Sequence, residues 1–494
     1  MAATIRSIGF VFAGSFLAAC VTTPSSSTDP SSNPSGSTAD DEMVNVCQGG
    51  HYHCYAQMRR HARMRAHTPA PSTQFYGPSD LASAYNYDPT LKPGATIALV
   101  DAYGYSMLEA DLAAYRSMYS LPPCTTASGC LKIVAQDGSS NLPGPPPSDD
   151  DWTIETALDV DMASAACPNC KILVVQATSD QDDGLDIAND TAAMLGASVI
   201  SNSWGGPYDS SDAAEEAHYN HPGVAIFVAA GDQGNTAADY PSTSKYTIAV
   251  GGTTLTKDTS TRGWSEAAWS DGGSSCNTAI TQPTWQGGGV VPATACAGRA
   301  ASDVAAVGDP DTGVVIYDNS GIQSSDGDDN GEIDGIGGTS LASPLTAGIF
   351  ALTGHGNATA ELPYANTAAF NDVTTGTNKS KCKTAICEAG SGWDGPTGIG
   401  TPNGKLIEAI AGGSGTGSGS GSGSDMGSGS GSGSGSDMGS GSDMGSGSDS
   451  GSDGDNNGGN GSSGGGGCAS TSSSGAMTML FVFGLAFARR RRAA

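Results

Sequence analysis

The sequence predicts an α/β domain: a doubly wound, mostly parallel sheet with helices on both faces. Three observations predict it. Apolar runs of strand length recur along the middle of the chain, and windows of helical periodicity alternate with them. Several runs end on small or acidic residues, the kind that line the carboxyl edge of such a sheet.

The expected strands run from Thr96 to Asp101, Lys171 to Gln176, Ser198 to Ser203, Val224 to Ala230 and Tyr246 to Val250. The helical windows run from Met107 to Tyr119, Asp151 to Ala166, Gly184 to Gly196 and Asp212 to Asn220. Asp101 closes IALV, Ser203 follows VISN and Asp232 follows IFVAAG, so all three are expected on the functional edge.

Around this body the chain changes character. Residues 1–19 combine Arg6, a short apolar run and Leu17-Ala18-Ala19, an export signal. With Cys20 this ending resembles a bacterial lipobox, which implies cleavage before Cys20 and lipid on its thiol. Residues 20–73 are expected to be a flexible arm, rich in Ser, Thr and Pro at first and basic later, and the folded domain is expected over 74–411. A Gly/Ser/Asp-rich linker follows over 412–475, then a short apolar segment with Arg489 to Arg492 over 476–494. That tail resembles the MYXO-CTERM sorting signal, which implies a membrane stop and a cut. The protein is therefore expected to be exported and held at the cell surface or outer membrane, through either end or both, as a monomer.

A formal charge of −29 argues against a nucleic-acid partner. Ten of the twelve cysteines fall into near neighbours that suit local disulfides in an oxidising compartment: Cys47 with Cys54, Cys124 with Cys130, Cys167 with Cys170, Cys276 with Cys296, and Cys382 with Cys387.

Chemistry is suggested first by Gly337-Gly338-Thr339-Ser340-Leu341-Ala342-Ser343-Pro344. Two glycines permit a tight turn, and the following apolar spacing is helical, which presents Ser340 at a helix mouth, with Pro344 expected in the first turn. A packing turn with an N-cap fits these residues equally well. A serine hydroxyl needs a base. None of the seven histidines stands in a His-Gly-Thr context, so carboxylates are the remaining candidates. Glu155 and Asp159 are i, i+4 neighbours on one helical window, where like charges raise a pKa and couple the titrations. A solvated acidic face is the plainer alternative.

Four pieces in this order resemble the sedolisin (serine-carboxyl) peptidases, which have a subtilisin-like fold: Glu155-Thr-Ala-Leu-Asp159, Ser201-Asn-Ser-Trp-Gly205, Ala230-Gly-Asp232-Gln-Gly234 and Gly338-Thr-Ser340-Leu-Ala-Ser-Pro344. The similarity spans about 75–411. It implies that Ser340 is the nucleophile, Glu155 the general base and acid, Asp159 the residue that orients Glu155, and Asp232 part of the oxyanion hole. It further implies an acidic pH optimum, because Asp232 must be protonated to donate. Asp101 stands where some relatives have a supporting Glu. Relatives also carry a long N-terminal prosegment, whereas only residues 21–73 separate Cys20 from the expected body.

The same resemblance implies one structural Ca2+, held by Asp372, Asp394 and the backbone carbonyls of Val373, Gly390 and Gly392, an all-oxygen set suited to a hard cation. Without the resemblance these are two Asp-rich turns. The resulting expectation is a surface-tethered peptidase acting on polypeptides. Two alternatives stay open: a catalytically idle, calcium-binding adhesin on the same fold, and a peptidase with a neutral optimum.

Overall fold

Seven parallel strands and one antiparallel edge strand make the central sheet of the computed structural model, which describes residues 43–59, 75–148, 150–181, 183–320 and 331–411. In chain order its strands and main helices are β1 (Thr96–Ala102), α1 (Leu108–Met118), β2 (Leu131–Ala135), α2 (Trp152–Ala166), β3 (Lys171–Ala177), α3 (Gly184–Met194), β4 (Val199–Asn202), β5 (Ala225–Ala229), β6 (Ile248–Lys257), β7 (Trp264–Ala268), β8 (Val304–Val307) and α4 (Thr339–Leu352). The strand order is β7-β6-β5-β4-β1-β3-β2, with β8 also pairing along β6. Only β7 runs antiparallel to its neighbour.

Burial explains why the middle strands are legible as apolar runs. Ile97, Leu99, Val174, Val199, Ile200, Phe227 and Val228 are all essentially inaccessible, as expected for strands covered on both faces. Helices α2 and α4 pack on each other closely enough that a Cβ at Gly348 would lie 2.4 Å from the Ala166 Cβ, so glycine is required at that crossing. Sheet and helices together bring the ends of β1, β4 and β5 to one edge, beside the N-terminus of α4.

Several elements differ from expectation. The window from Asp212 to Asn220 is a single α-helical turn, Asp212–Glu215, followed by a 3-10 turn, Glu216–Tyr219. Strands β2, β7 and β8 are additions to the expected set. Lys132 in β2 and Ser265 in β7 point to solvent, so neither reads as a continuous apolar run. Most important, part of the arm expected to be flexible is structured. Met43–Arg59 forms a hairpin, with Met43 opposite Arg59, Val44 opposite Met58 and Asn45 opposite Gln57. It adds to two other sheets: His53–Cys54 pairs with Trp204–Pro207, and Gln57–Arg59 pairs with Glu332–Gly337. Tertiary pairing on both sides, rather than local propensity, orders this segment.

All five anticipated disulfides are formed. Among the described residues no helix is long and apolar enough to cross a membrane. The expected signal, most of the arm, the linker and the terminal segment with its arginines lie outside the described residues.

Candidate active site

Ser340 is the second residue of α4, whose cap is Gly338 at φ 102°. That backbone suits glycine, and so does the space: a Cβ there would lie 1.8 Å from the Tyr55 carbonyl oxygen and 2.6 Å from Asp232 Oδ2. The Ser340 hydroxyl donates to the Ser203 carbonyl at 3.0 Å and accepts from the Tyr55 amide at 3.1 Å. Pro344 stands inside the helix rather than in its first turn. Proline has no N–H for the carbonyl four residues back, and that carbonyl belongs to Ser340. The Ser203 hydroxyl, 3.3 Å away, takes the place of the missing donor.

The same Ser203 hydroxyl lies 2.7 Å from Asp159 Oδ1. Ser203 therefore ties the helix that carries the acids to the helix that carries the nucleophile. Its position in the SNSWG fragment is visible in the sequence, but its bridging part is not.

Glu155 and Asp159 are both fully buried, which rules out a solvated acidic face. Asp101, at the end of β1, is buried with them. Both oxygens of Asp101, both of Glu155 and Oδ2 of Asp159 have no hydrogen bond of normal geometry, so Glu155 and Asp159 are not directly bonded to each other in this structure. Burial raises all three above the usual carboxyl range, Asp101 to about 7, and repulsion from Asp101 adds to the rise at Glu155 and Asp159. The Ser340 hydroxyl and the Ala56 amide pull Glu155 the other way, since both favour its charged form. Three buried acids this close raise one another's proton affinity, so their titrations depend on one another.

Asp232 follows β5 and approaches Ser340 from the other side. Its Oδ1 accepts from the Thr339 amide and the Thr339 hydroxyl, each at 2.8 Å. Its Oδ2 is buried without a partner, and burial holds this carboxyl well above the usual range. A protonated Asp232 has one place to put its hydrogen, on Oδ2. That oxygen and the Tyr55 carbonyl oxygen crowd the same point beside Gly338, and the Ser340 amide donates to that carbonyl at 3.5 Å. Thr339 is a contributor that sequence reasoning passes over.

Ser340, Glu155 and Asp232 thus surround one peptide group, which belongs to the chain's own hairpin, while Asp159 meets the Ser203 hydroxyl. Among the described residues no histidine hydrogen-bonds to Ser340: His218 and His221 pair with Asp190, and His355 faces the Thr353 carbonyl. Ligand-type atoms of Cys47, Cys54 and Glu155 lie within 4.8 Å of one another, but both sulfurs are committed to a disulfide.

Of the expected calcium set, the two carboxyls, Asp372 and Asp394, lie on neighbouring loops. The Gly392 amide donates to Asp372 Oδ2 at 3.1 Å, which joins the two loops, and the Gly390 amide donates to Asp394 Oδ2 at 2.9 Å within one of them. Thr397 supplies two donors to Asp394 Oδ1. Val373 is buried. Burial raises Asp394 to about 7, and the neighbouring Asp372 contributes to the rise. Two facing carboxyls at a loop junction, one unable to ionise cheaply, fit a hard cation by their chemistry.

Comparison with known proteins identifies the family and the fold. Residues 147–383 match the subtilase family (Peptidase_S8). Kumamolisin of Bacillus sp. (strain MN-32) is 32% identical over 399 residues, covering 72% of this chain and 68% of that protein. Sedolisin of Pseudomonas sp. (strain 101) is 25% identical, covering 72% of this chain and 62% of that protein. Among solved structures, Pseudomonas sedolisin, a serine-carboxyl proteinase complexed with two molecules of pseudo-iodotyrostatin, superposes with a TM-score of 0.56. It is 23% identical, and the match covers 68% of this chain and 98% of that one.

Proposed function

This chain belongs to the sedolisin family of subtilisin-like serine-carboxyl peptidases, and from that premise we propose that Ser340, Glu155, Asp159 and Asp232 carry its peptide hydrolysis. The observation that supports the assignment most is the buried, partnerless Oδ2 of Asp232 beside the Tyr55 carbonyl oxygen at the start of the helix that carries Ser340. Ser340 Oγ attacks the carbonyl carbon while Glu155 takes its proton. Negative charge grows on the carbonyl oxygen, where the Ser340 amide and protonated Asp232 donate to it. Glu155 then returns the proton to the leaving amine, and water hydrolyses the acyl-enzyme. Asp101, in the same pocket, raises the proton affinity of Glu155, and both raise that of Asp159. The substrates are polypeptides.

Acidic operation follows from the need to keep Asp232 neutral. Because burial raises that carboxyl, the active range extends above the ordinary carboxyl pKa of about 4. The experiment that tests the assignment is hydrolysis of an unfolded protein and of short peptides from pH 3 to 8, with Glu155→Gln alongside. The variant should lose about 10²–10⁴-fold in kcat/KM without loss of fold, in line with the usual worth of a general base. A variant as active as the parent on the same peptides would remove Glu155 from the mechanism.

Asp372, Asp394 and the carbonyls of Val373, Gly390 and Gly392 would hold Ca2+, which would supply stability and no reactive atom. The pH dependence has a definite sign. Asp394 is raised from 3.8 to about 7, so without a cation the folded state loses stability as pH climbs through that window. A bound cation reverses this penalty. Chelation should therefore lower the melting temperature by several degrees at pH 7 and hardly at all at pH 4, where Asp394 is protonated. Equal shifts at both pH values would exclude Asp394 as a ligand. Export and surface attachment rest on the two terminal signals, and mass spectrometry of the mature ends tests them.

A further inference from the structure

Ser203 has one hydroxyl hydrogen and two acceptors in reach. Its Oγ lies 2.7 Å from Asp159 Oδ1 and 3.3 Å from the Ser340 carbonyl oxygen, and all three residues are inaccessible to solvent. In an unbroken helix that carbonyl would accept from the amide of residue 344, but Pro344 has no N–H. The carbonyl belongs to the nucleophile's own residue, so holding it fixes the torsion between the Cα that bears Oγ and the peptide plane beyond. A donor at this carbonyl therefore helps to aim Ser340 Oγ.

The protonation state of Asp159 decides where that single hydrogen goes. With a proton on Oδ1, Asp159 donates to Ser203 Oγ, Ser203 donates to the Ser340 carbonyl, and the chain of three is satisfied. Once Asp159 is ionised, its carboxylate is the stronger acceptor and takes the Ser203 hydrogen, which leaves the carbonyl without it. Burial favours the protonated form, as do Asp101 at the end of β1 and Glu155 one turn earlier on α2, whereas the Ser203 hydroxyl favours the charged one. Asp159 Oδ2 has no partner among the described residues, so a proton gains a hydrogen bond on Oδ1 and not on Oδ2. We propose that Ser203 is a positioning residue for the hydrolysis: its hydroxyl couples Asp159 to the Ser340 carbonyl and holds the first turn of α4, with the nucleophile on it, while Asp159 is protonated.

Removing the hydroxyl should act on the chemical step and leave the rest in place. Ser201 Oγ meets Ser343 Oγ at 2.9 Å, both buried, and this second tie between β4 and α4 does not involve Ser203. The contact that Ser203 makes with a chain in the cleft is through its backbone carbonyl, which accepts from the Tyr55 amide at 3.1 Å and is kept in Ser203→Ala. Substrate capture should therefore persist, and the loss should fall on kcat.

This inference rests on the peptidase assignment above, and the test separates the two. On the full chain, Ser203→Ala, Pro344→Ala and the double variant, kcat and KM for a short fluorogenic peptide are measured from pH 3 to 8, with thermal melting alongside. At about pH 4, Ser203→Ala should lose about tenfold in kcat, the worth of one hydrogen bond, with KM held within about twofold. The loss should shrink as pH rises and Asp159 ionises, because the parent then gives up the same bond. Pro344→Ala supplies the missing amide to the Ser340 carbonyl, so in that background Ser203→Ala should cost no more than about threefold. A side chain that only filled space would give the same loss in both backgrounds and at every pH, and either result overturns the positioning role. A Ser203→Ala variant that matches the parent throughout does so too. Should Ser203→Ala not fold, Ser203→Cys, whose thiol is a weak donor, carries the same comparison. If no form hydrolyses the peptide, the peptidase assignment itself falls and this inference with it.

Discussion

Ser340→Ala should abolish measurable peptide hydrolysis, with kcat/KM falling by about 10⁴–10⁶-fold, while the fold stays intact. The magnitude follows from the lack of a substitute. Among the described residues the Ser340 hydroxyl is the nucleophilic oxygen set against the Tyr55–Ala56 group, and no histidine hydrogen-bonds to it. Structural damage should be small. The hydroxyl's two partners are the Ser203 carbonyl and the Tyr55 amide, and that amide keeps its bond to the same carbonyl when the hydroxyl is gone. Helix α4 is set by the turn at Gly338 and by packing on α2, neither of which involves Ser340 Oγ. Thermal melting of the variant alongside activity on a short peptide checks both halves. A variant that folds and retains more than about one-hundredth of parental kcat/KM would show that another group attacks.

How much of the fold and the site is legible in the sequence depends on what holds each part together. The middle strands declare themselves because a strand buried on both faces must be largely apolar, as IALV before Asp101 and IFVA before Ala230 are. The acidic helix declares its spacing but not its burial: Glu155 and Asp159 are compatible with a wet face until β1 and the hairpin cover them. The hairpin is hidden for the opposite reason. Its sequence alternates neither in the manner of a half-buried strand nor in that of a helix, and it is ordered by pairing with Trp204–Pro207 and Glu332–Gly337, which lie far away in sequence. The one local hint is the Cys47–Cys54 loop with Gly49-Gly50 inside it. Pro344 is a similar case. Its tolerance inside α4 depends on a hydroxyl from β4's far end, a long-range match that no window of neighbouring residues contains.

Asp232 separates donation from mere negative charge, and two substitutions there should behave oppositely. Asp232→Ala removes the donor and should cost about 10²–10³-fold in kcat at every pH, the usual worth of one oxyanion-hole group. Asp232→Asn should keep much of the activity, because the site dictates the amide's orientation. The Thr339 amide and hydroxyl both donate to the Oδ1 position, so the amide oxygen belongs there and the NH2 takes the place of Oδ2, facing the carbonyl. The pH profile then decides. In the parent, activity must fall as pH rises through the raised pKa of Asp232, because the ionised form repels the developing oxyanion. Asparagine has no proton to lose in this range, so the alkaline limb should flatten while the acid limb, set by Glu155 and its neighbours, remains. An alkaline limb unchanged in Asp232→Asn would assign that titration to Asp101, Glu155 or Asp159 and leave Asp232 with a purely structural part in holding Thr339.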